Sequence, residues 1–271
     1  MNHLGDLWPP RATSQVMVGR PRLVDGGAKG VKRSGARAVH RTVARAQVHG
    51  MLHVARKKLE SYSVVLASQS PRRKELLTSL GVTFETIVSR FDEDLDKSKF
   101  PDAADYAAET AFHKVADVAK MINEDADRVS KGRYLIIGSD TVVDLDGEVM
   151  EKPATEEHAF EMLSKLSGNT HRVHTGVAVC LLDPSKQGEA RSFTTKCSET
   201  TSVTFSDLPE SVIQAYIASG EPMDKAGSYG IQGAGGSMVS GITGCYYNVM
   251  GLPLNRLSKL LIEVLGAEEE G

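Results

Sequence analysis

The sequence predicts a mixed α/β fold, with strands and helices alternating and polar residues gathered where strands end. Three stretches carry that expectation. Val64–Leu66 is a short β-branched and apolar run, broken by Ser68-Gln69-Ser70-Pro71 and followed by Leu76, Leu77 and Leu80 at helical spacing. That is the pattern of a buried strand feeding a helix. Tyr134–Val143 is apolar at both ends around Gly138-Ser139-Asp140-Thr141. Between His171 and Phe205 lie three strand-like runs with the lengths of an antiparallel meander.

The first stretch also predicts a ligand. Ser70 stands at a helix N-cap position and Pro71 at the first helical position, where a missing N–H costs nothing. A strand running into a helix N-terminus offers free backbone N–H groups and the positive end of the dipole. Arg72 and Arg73 are unfavourable there unless an anion compensates. With Ser68 and Ser70 they predict a seat for a polyanion, a phosphate chain; the bland alternative is two solvated first-turn arginines. The spacing matches neither a P-loop nor a dinucleotide-binding glycine motif.

The chain has 271 residues, enough for one large or two modest domains. No apolar run approaches the ~20 residues that span a bilayer. Cys180, Cys197 and Cys245 show no CxxC pairing, which predicts a reducing compartment and no zinc site. The net charge of −3 hides an asymmetry: residues 1–60 hold twelve basic residues against Asp6, Asp25 and Glu60. The remainder is acidic, which argues against nucleic acid as a partner. Residues 1–60 are expected to be a basic, disordered arm whose removal leaves the rest intact, with residues 61–271 as the domain. An organellar transit peptide (mitochondrion or plastid) and a start at Met51 are the alternatives to a plain cytoplasmic protein.

Taken in order, Gly81 ends the first helix and Phe84–Val88 alternates as a strand. Asp92, Glu93, Asp94 and Asp96 follow, either a solvated loop or oxygen ligands for a divalent cation. Pro101 and Asp102 open a long helix carrying Lys114 and running to about Ala126. Asp140 inside an apolar strand is costly unless it is paired or metal-bound; a turn at Gly138–Thr141 is the alternative. Asp144–Gly147 turns a hairpin that brings Lys152 near Asp140, or leaves it a surface lysine. Thr155 caps a helix through Leu166. The runs His171–Leu182, Ala190–Cys197 and Glu199–Phe205 read as strands; His171 and His174 lack alternating-face spacing and a third ligand, so they are read as non-metal. Asp207 starts a helix through Ser219. Glu221–Gly236 is too polar for a core element and too specific for a linker, a loop whose backbone can approach a ligand. Pro253–Leu265 is a closing helix.

Leu66-Ala-Ser-Gln-Ser-Pro-Arg-Arg-Lys-Glu-Leu-Leu77, Gly138-Ser-Asp-Thr141, Glu151-Lys-Pro153 and Asp224-Lys-Ala-Gly-Ser-Tyr-Gly-Ile-Gln-Gly233 together resemble the Maf (septum-formation-protein-like) nucleotide pyrophosphatases over about residues 63 to 265. The resemblance implies two lobes around a central cleft, similar to the inosine triphosphate pyrophosphatase-like fold. It implies hydrolysis of a nucleoside triphosphate to the monophosphate and pyrophosphate with Mg²⁺ or Mn²⁺. Ser68, Arg72 and Arg73 resemble the family's phosphate-binding set, Glu93 an acidic metal-site residue flanked by Asp92 and Asp94, and Lys114 a helix lysine reaching the phosphates. Asp140 matches a general base and metal ligand, and Lys152 the lysine beside it. Arg73, Thr141 and Gln232 match positions linked to substrate choice, and the last motif is the version of the dTTP/UTP branch. The other readings are a 7-methyl-GTP-type enzyme and a non-catalytic nucleotide-binding regulator of cell division. The implied partner is the nucleotide, with a second copy of the chain as an open option and no membrane.

Overall fold

The computed structural model describes residues 50–267. The expectation of a disordered arm falls largely on residues outside that range. A short helical stretch begins at Gly50 and continues into α1 (Arg56–Leu59), and Leu52, Ala55 and Leu59 are buried against the C-terminal helix in the same core as Leu257 and Leu261. Composition hid this, because three apolar side chains among many basic ones suffice to dock a short helix.

β1 (Ser63–Ala67) leads into α2 (Pro71–Ser79). β2 is only Glu85–Thr86, at the outer edge beside β1. α3 (Ala103–Glu124) is capped by Asp102, whose carboxylate accepts the Asp105 N–H, and α4 (Ala126–Val129) follows. β3 (Tyr134–Leu145) is one unbroken strand through Gly138–Thr141, which excludes a turn there. It turns at Asp146-Gly147, both at positive φ (52° and 90°), into β4 (Glu148–Met150), the geometry a two-residue hairpin favours. α5 (Glu156–Leu166) is capped by Thr155 as expected.

β5 (Thr170–Leu182) and β6 (Ser192–Phe205) pair along their whole lengths. The two runs read after residue 190 are thus a single strand; Ser198 interrupts the apolar pattern but not the ladder. α6 (Glu210–Ala218) starts three residues after Asp207, behind Pro209. Three 3₁₀ turns between Glu221 and Met238 then lead to β7 (Val239–Thr243), an edge strand on β6 that the sequence did not signal. α7 (Tyr246–Val249) and α8 (Leu254–Ala267) close the chain.

The result is a seven-stranded mixed sheet in the order β2-β1-β3-β5-β6-β7, with β4 beside β3. One half packs α2 and α8 on one face and α3 on the other. In the second half, α5 and α6 cover Val143, Val173 and Val203 on one face, and the start of α3 covers Val142 on the other. These are the two expected lobes, and β3, β5 and β6 run through both. β1 pairs with β3 only up to Gly138, and β4 only from Val143. Ser139–Val142 therefore has no strand neighbour on that edge. That gap is the floor of the cleft.

Candidate active site

The ends of two strands converge on the gap. Beyond Ala67 the chain crosses it with Ser68–Arg73; beyond Met150 it enters from the other side with Glu151 and Lys152. The cleft encloses about 870 Å³. All nine residues singled out by sequence line it: Ser68, Arg72, Arg73, Glu93, Lys114, Asp140, Thr141, Lys152 and Gln232.

Strand alternation sorts the Gly-Ser-Asp-Thr motif. Asp140 shares its face with Tyr134 and Ile136, the face that α3 covers. Lys114 on α3 donates to Asp140 Oδ1 at 2.7 Å and lies 2.9 Å from Glu93 Oε1. Lys114 and Asp140 are 8% and 6% exposed, so each buried charge is neutralised by the other. Of the acidic run, Glu93 is the residue that reaches Lys114; Asp92 lines the cleft beside it.

Ser139 and Thr141 point to the opposite face. Ser139 Oγ donates to the Gly251 carbonyl at 2.9 Å. Arg73 donates to the same carbonyl through Nε at 2.8 Å and to Thr141 Oγ1 through Nη2 at 3.0 Å. The Thr141 hydroxyl donates to Thr175 Oγ1 (3.0 Å), because the Thr175 hydroxyl itself donates to the Asn248 carbonyl at 2.9 Å. Ser68 Oγ accepts the Ser70 N–H at 3.2 Å. Burial pulls Arg73 below the ordinary arginine range, while Asp140 and Glu93 act in the other direction. Arg73, expected in the phosphate-binding set, lines the cleft and at the same time ties the α2 N-terminus to Thr141 and the turn at Gly251. Arg72 is the more available guanidinium, with one ion pair, Nη1 to Asp224 Oδ2 at 3.5 Å.

Ser70 occupies the N-cap of α2 without making a side-chain cap bond, so the first-turn N–H groups stay open to the cleft. Lys152 is exposed at the rim. Its neighbour Glu151, unassigned from sequence, accepts the Tyr106 hydroxyl and the Lys97 ammonium, each at 2.8 Å. Burial and that carboxylate push the Tyr106 phenol up, which keeps it a donor. Sequence reasoning missed the parts played by Glu151, Thr175, Asn248 and Gly251. Glu151 opens the Glu151-Lys-Pro153 motif but received no role of its own, and the other three reach the site through pairings distant in sequence.

Among the described residues no group of three or more His, Cys, Asp or Glu side chains forms a metal cage. Glu93 and Asp140, on either side of one ammonium, are instead the kind of donor pair that suits a hard cation completed by phosphate oxygens and water. The residues present suit a divalent cation of that kind.

The family model described as Maf-like protein matches residues 63–264. A dTTP/UTP pyrophosphatase of Clostridium perfringens (strain 13 / Type A) is 48% identical over 198 residues, covering 73% of this chain and 95% of that protein. A second protein of that name, from Clostridium beijerinckii, is 44% identical over 202 residues, covering 74% and 98%. Among solved structures, a HAM1 protein from Coxiella burnetii aligns over 74% of this chain and 99% of its own at 14% identity, with a TM-score of 0.36. The two-lobed sheet, the four motifs gathered in one cleft and the match over most of the chain lead to one conclusion: this chain belongs to the Maf-like protein family.

Proposed function

We propose that the cleft hydrolyses dTTP and UTP to the monophosphate and pyrophosphate. The observation that carries this reading is the pairing of Lys114 with Asp140 and Glu93 on one side of a cleft whose other side holds the open N-terminus of α2 with Arg72. A phosphate chain laid between them meets cationic donors along its length and a carboxylate at its reacting end. The names of the relatives give the bases.

Lys114 holds Asp140 by Oδ1, leaving Oδ2 to orient a water and take its proton. The water oxygen attacks the α-phosphorus, the bond to the α–β bridging oxygen breaks, and pyrophosphate leaves with that oxygen. Arg72, the α2 amides and Lys152 stabilise the charge that builds on the leaving group. Arg73, Ser68 and Thr141 keep that wall rigid, so the phosphates meet a preorganised surface. Glu93 and Asp140 would hold Mg²⁺ or Mn²⁺, which when bound neutralises phosphate oxygens and acidifies water. Gln232, exposed at the rim, offers both a carbonyl and an amide to the N3–H and carbonyl of the pyrimidine.

The test is product identification on a panel of nucleotides with Mg²⁺ or Mn²⁺. Pyrophosphate is the expected first product, with dTTP and UTP the best substrates. Orthophosphate as first product would move the cleaved bond, and preference for 7-methyl-GTP would move the substrate class.

A further inference from the structure

The cleft wall that includes Asp224, Lys225 and Gly230–Gln232 belongs to a segment with glycines at 227, 230, 233, 235 and 236, which has little side-chain packing of its own. The support comes from behind it. Glu221 Oε1 accepts the Tyr216 hydroxyl at 3.0 Å and the Gly235 N–H at 3.3 Å, and Oε2 accepts the Ala234 N–H at 3.0 Å. The Tyr216 hydroxyl, having given its proton to Glu221, accepts the Gly230 N–H at 3.0 Å. One carboxylate and one phenol thus pin both ends of the segment 230–235, whose residues Ile231 and Gln232 face the cleft.

The glycines are fitted to this arrangement. A Cβ on Gly233 would run into the Glu221 carboxylate, and one on Gly235 would come within 2.7 Å of both the Tyr216 oxygen and the Gly230 carbonyl. Burial works against the charge on Glu221, yet the two amides, the tyrosine hydroxyl and Lys225 together hold its carboxyl below the usual range. Tyr216 is buried, and neither it nor Glu221 lines the cleft. They stand behind the loop, and the loop is what carries their hold to the cleft.

We propose that Glu221, with Tyr216, is the positioning residue for base choice: it sets the directions of the groups that Gly230–Gln232 presents to the pyrimidine edge. This rests on the dTTP/UTP reading above. Uracil and thymine present a donor N3–H, and cytosine presents an acceptor N3 and a donor amine. A side-chain amide such as Gln232 can flip to suit either. Only a loop held from behind gives it a fixed sense, and a loop that sags accepts both bases.

Glu221→Gln sets an NH₂ against backbone N–H donors, and Tyr216→Phe removes the acceptor of the Gly230 N–H while leaving the carboxylate. Steady-state rates with UTP and CTP, inhibition by inorganic pyrophosphate and thermal melting are measured for both variants. An unpaired buried donor costs about a factor of ten to a hundred. The UTP/CTP ratio of kcat/KM is therefore expected to fall about tenfold in Glu221→Gln and about threefold in Tyr216→Phe, mainly through KM for UTP. Inhibition by pyrophosphate should stay within about twofold of wild type, because its seat is on α2. Folded variants that keep the wild-type UTP/CTP ratio, or that lose UTP and pyrophosphate in equal measure, overturn the proposal. Tyr216→Phe decides the matter if Glu221→Gln does not fold. A wild-type protein with no preference for UTP over CTP would reject the base reading itself, a separate outcome.

Discussion

Lys114 on α3 meets Asp140 on β3 at 2.7 Å because two glycines let the helix lie directly on the sheet. Gly138, two residues before Asp140, would place a Cβ against Val115 and 2.9 Å from the Ala111 carbonyl. Gly176, the partner of Asp140 across the β3–β5 ladder, would place one inside the Ala107 backbone. Helix and strand approach more closely than any side chain allows, and the lysine reaches the carboxylate from one turn away.

Gly176→Ala should therefore push α3 outward. Overpacking of this kind costs about 1–3 kcal/mol, and kcat should fall with it as Lys114 is drawn from Asp140. Urea unfolding and steady-state rates check both; wild-type values for the two would mean that α3 has room to shift without consequence.

Asp140→Asn should lower kcat at least ~10²-fold, since positioned base catalysis contributes ~10²–10⁴. Asparagine keeps an oxygen for Lys114 and Glu93 still faces the ammonium, so the variant should fold, with a lower melting temperature because one buried countercharge is gone. Turnover of UTP within a few-fold of wild type would remove Asp140 as the base.

Truncation separates the arm from the fold. Deleting residues 1–49 should leave activity and melting temperature unchanged. Deleting 1–60 removes Leu52 and Leu59 from the core and the Lys58 bond to the Leu265 carbonyl. Each fully buried leucine contributes about 1.5–3 kcal/mol, so the longer deletion should unfold at clearly lower urea. Equal stability of the two truncations would contradict the packing of α1 on α8.

His171 supplies a pH dependence. It is buried between Phe205 and Tyr229, with Nε2 2.8 Å from the Tyr229 hydroxyl, and burial pulls its pKa down to about 4. The unfolded chain takes up a proton near pH 6.5 and the folded one only near 4, so the stability is complete above about 6.5 and is lost as pH falls towards 4. The slope from this residue approaches about 1.4 kcal/mol per pH unit within that window. Burial also lowers His174, which adds in the same direction. Unfolding at pH 7 and pH 5 should show the loss in wild type and a shallower one in His171→Gln; equal slopes would remove His171 as the source.

Much of the site was legible because its chemistry is written in short local runs. Ser68-to-Arg73 and Gly138-to-Thr141 each announce a polar cluster beside an apolar strand, and both lie in the cleft. The role of Arg73 was not legible. Its partners Gly251 and Thr141 are remote in sequence, and only their convergence shows that this arginine also ties the α2 N-terminus to the strand and the turn. β7 gave no signal because Ser240 and Gly241 interrupt any alternation, and the strand exists by pairing with the edge of β6.

The sequence by itself determined most of the elements, their main caps and the residue types of the site, since periodicity, turn chemistry and helix termini act over a few residues. The tertiary structure decided where those residues meet. β1 stops at Gly138 and β4 begins at Val143, so four residues of β3 lie bare between them. Strand alternation then sends Asp140 to Lys114 on one face and Thr141 to Arg73 on the other. Register and strand length are set by pairing between segments far apart along the chain, and no local pattern encodes where one strand's neighbour ends.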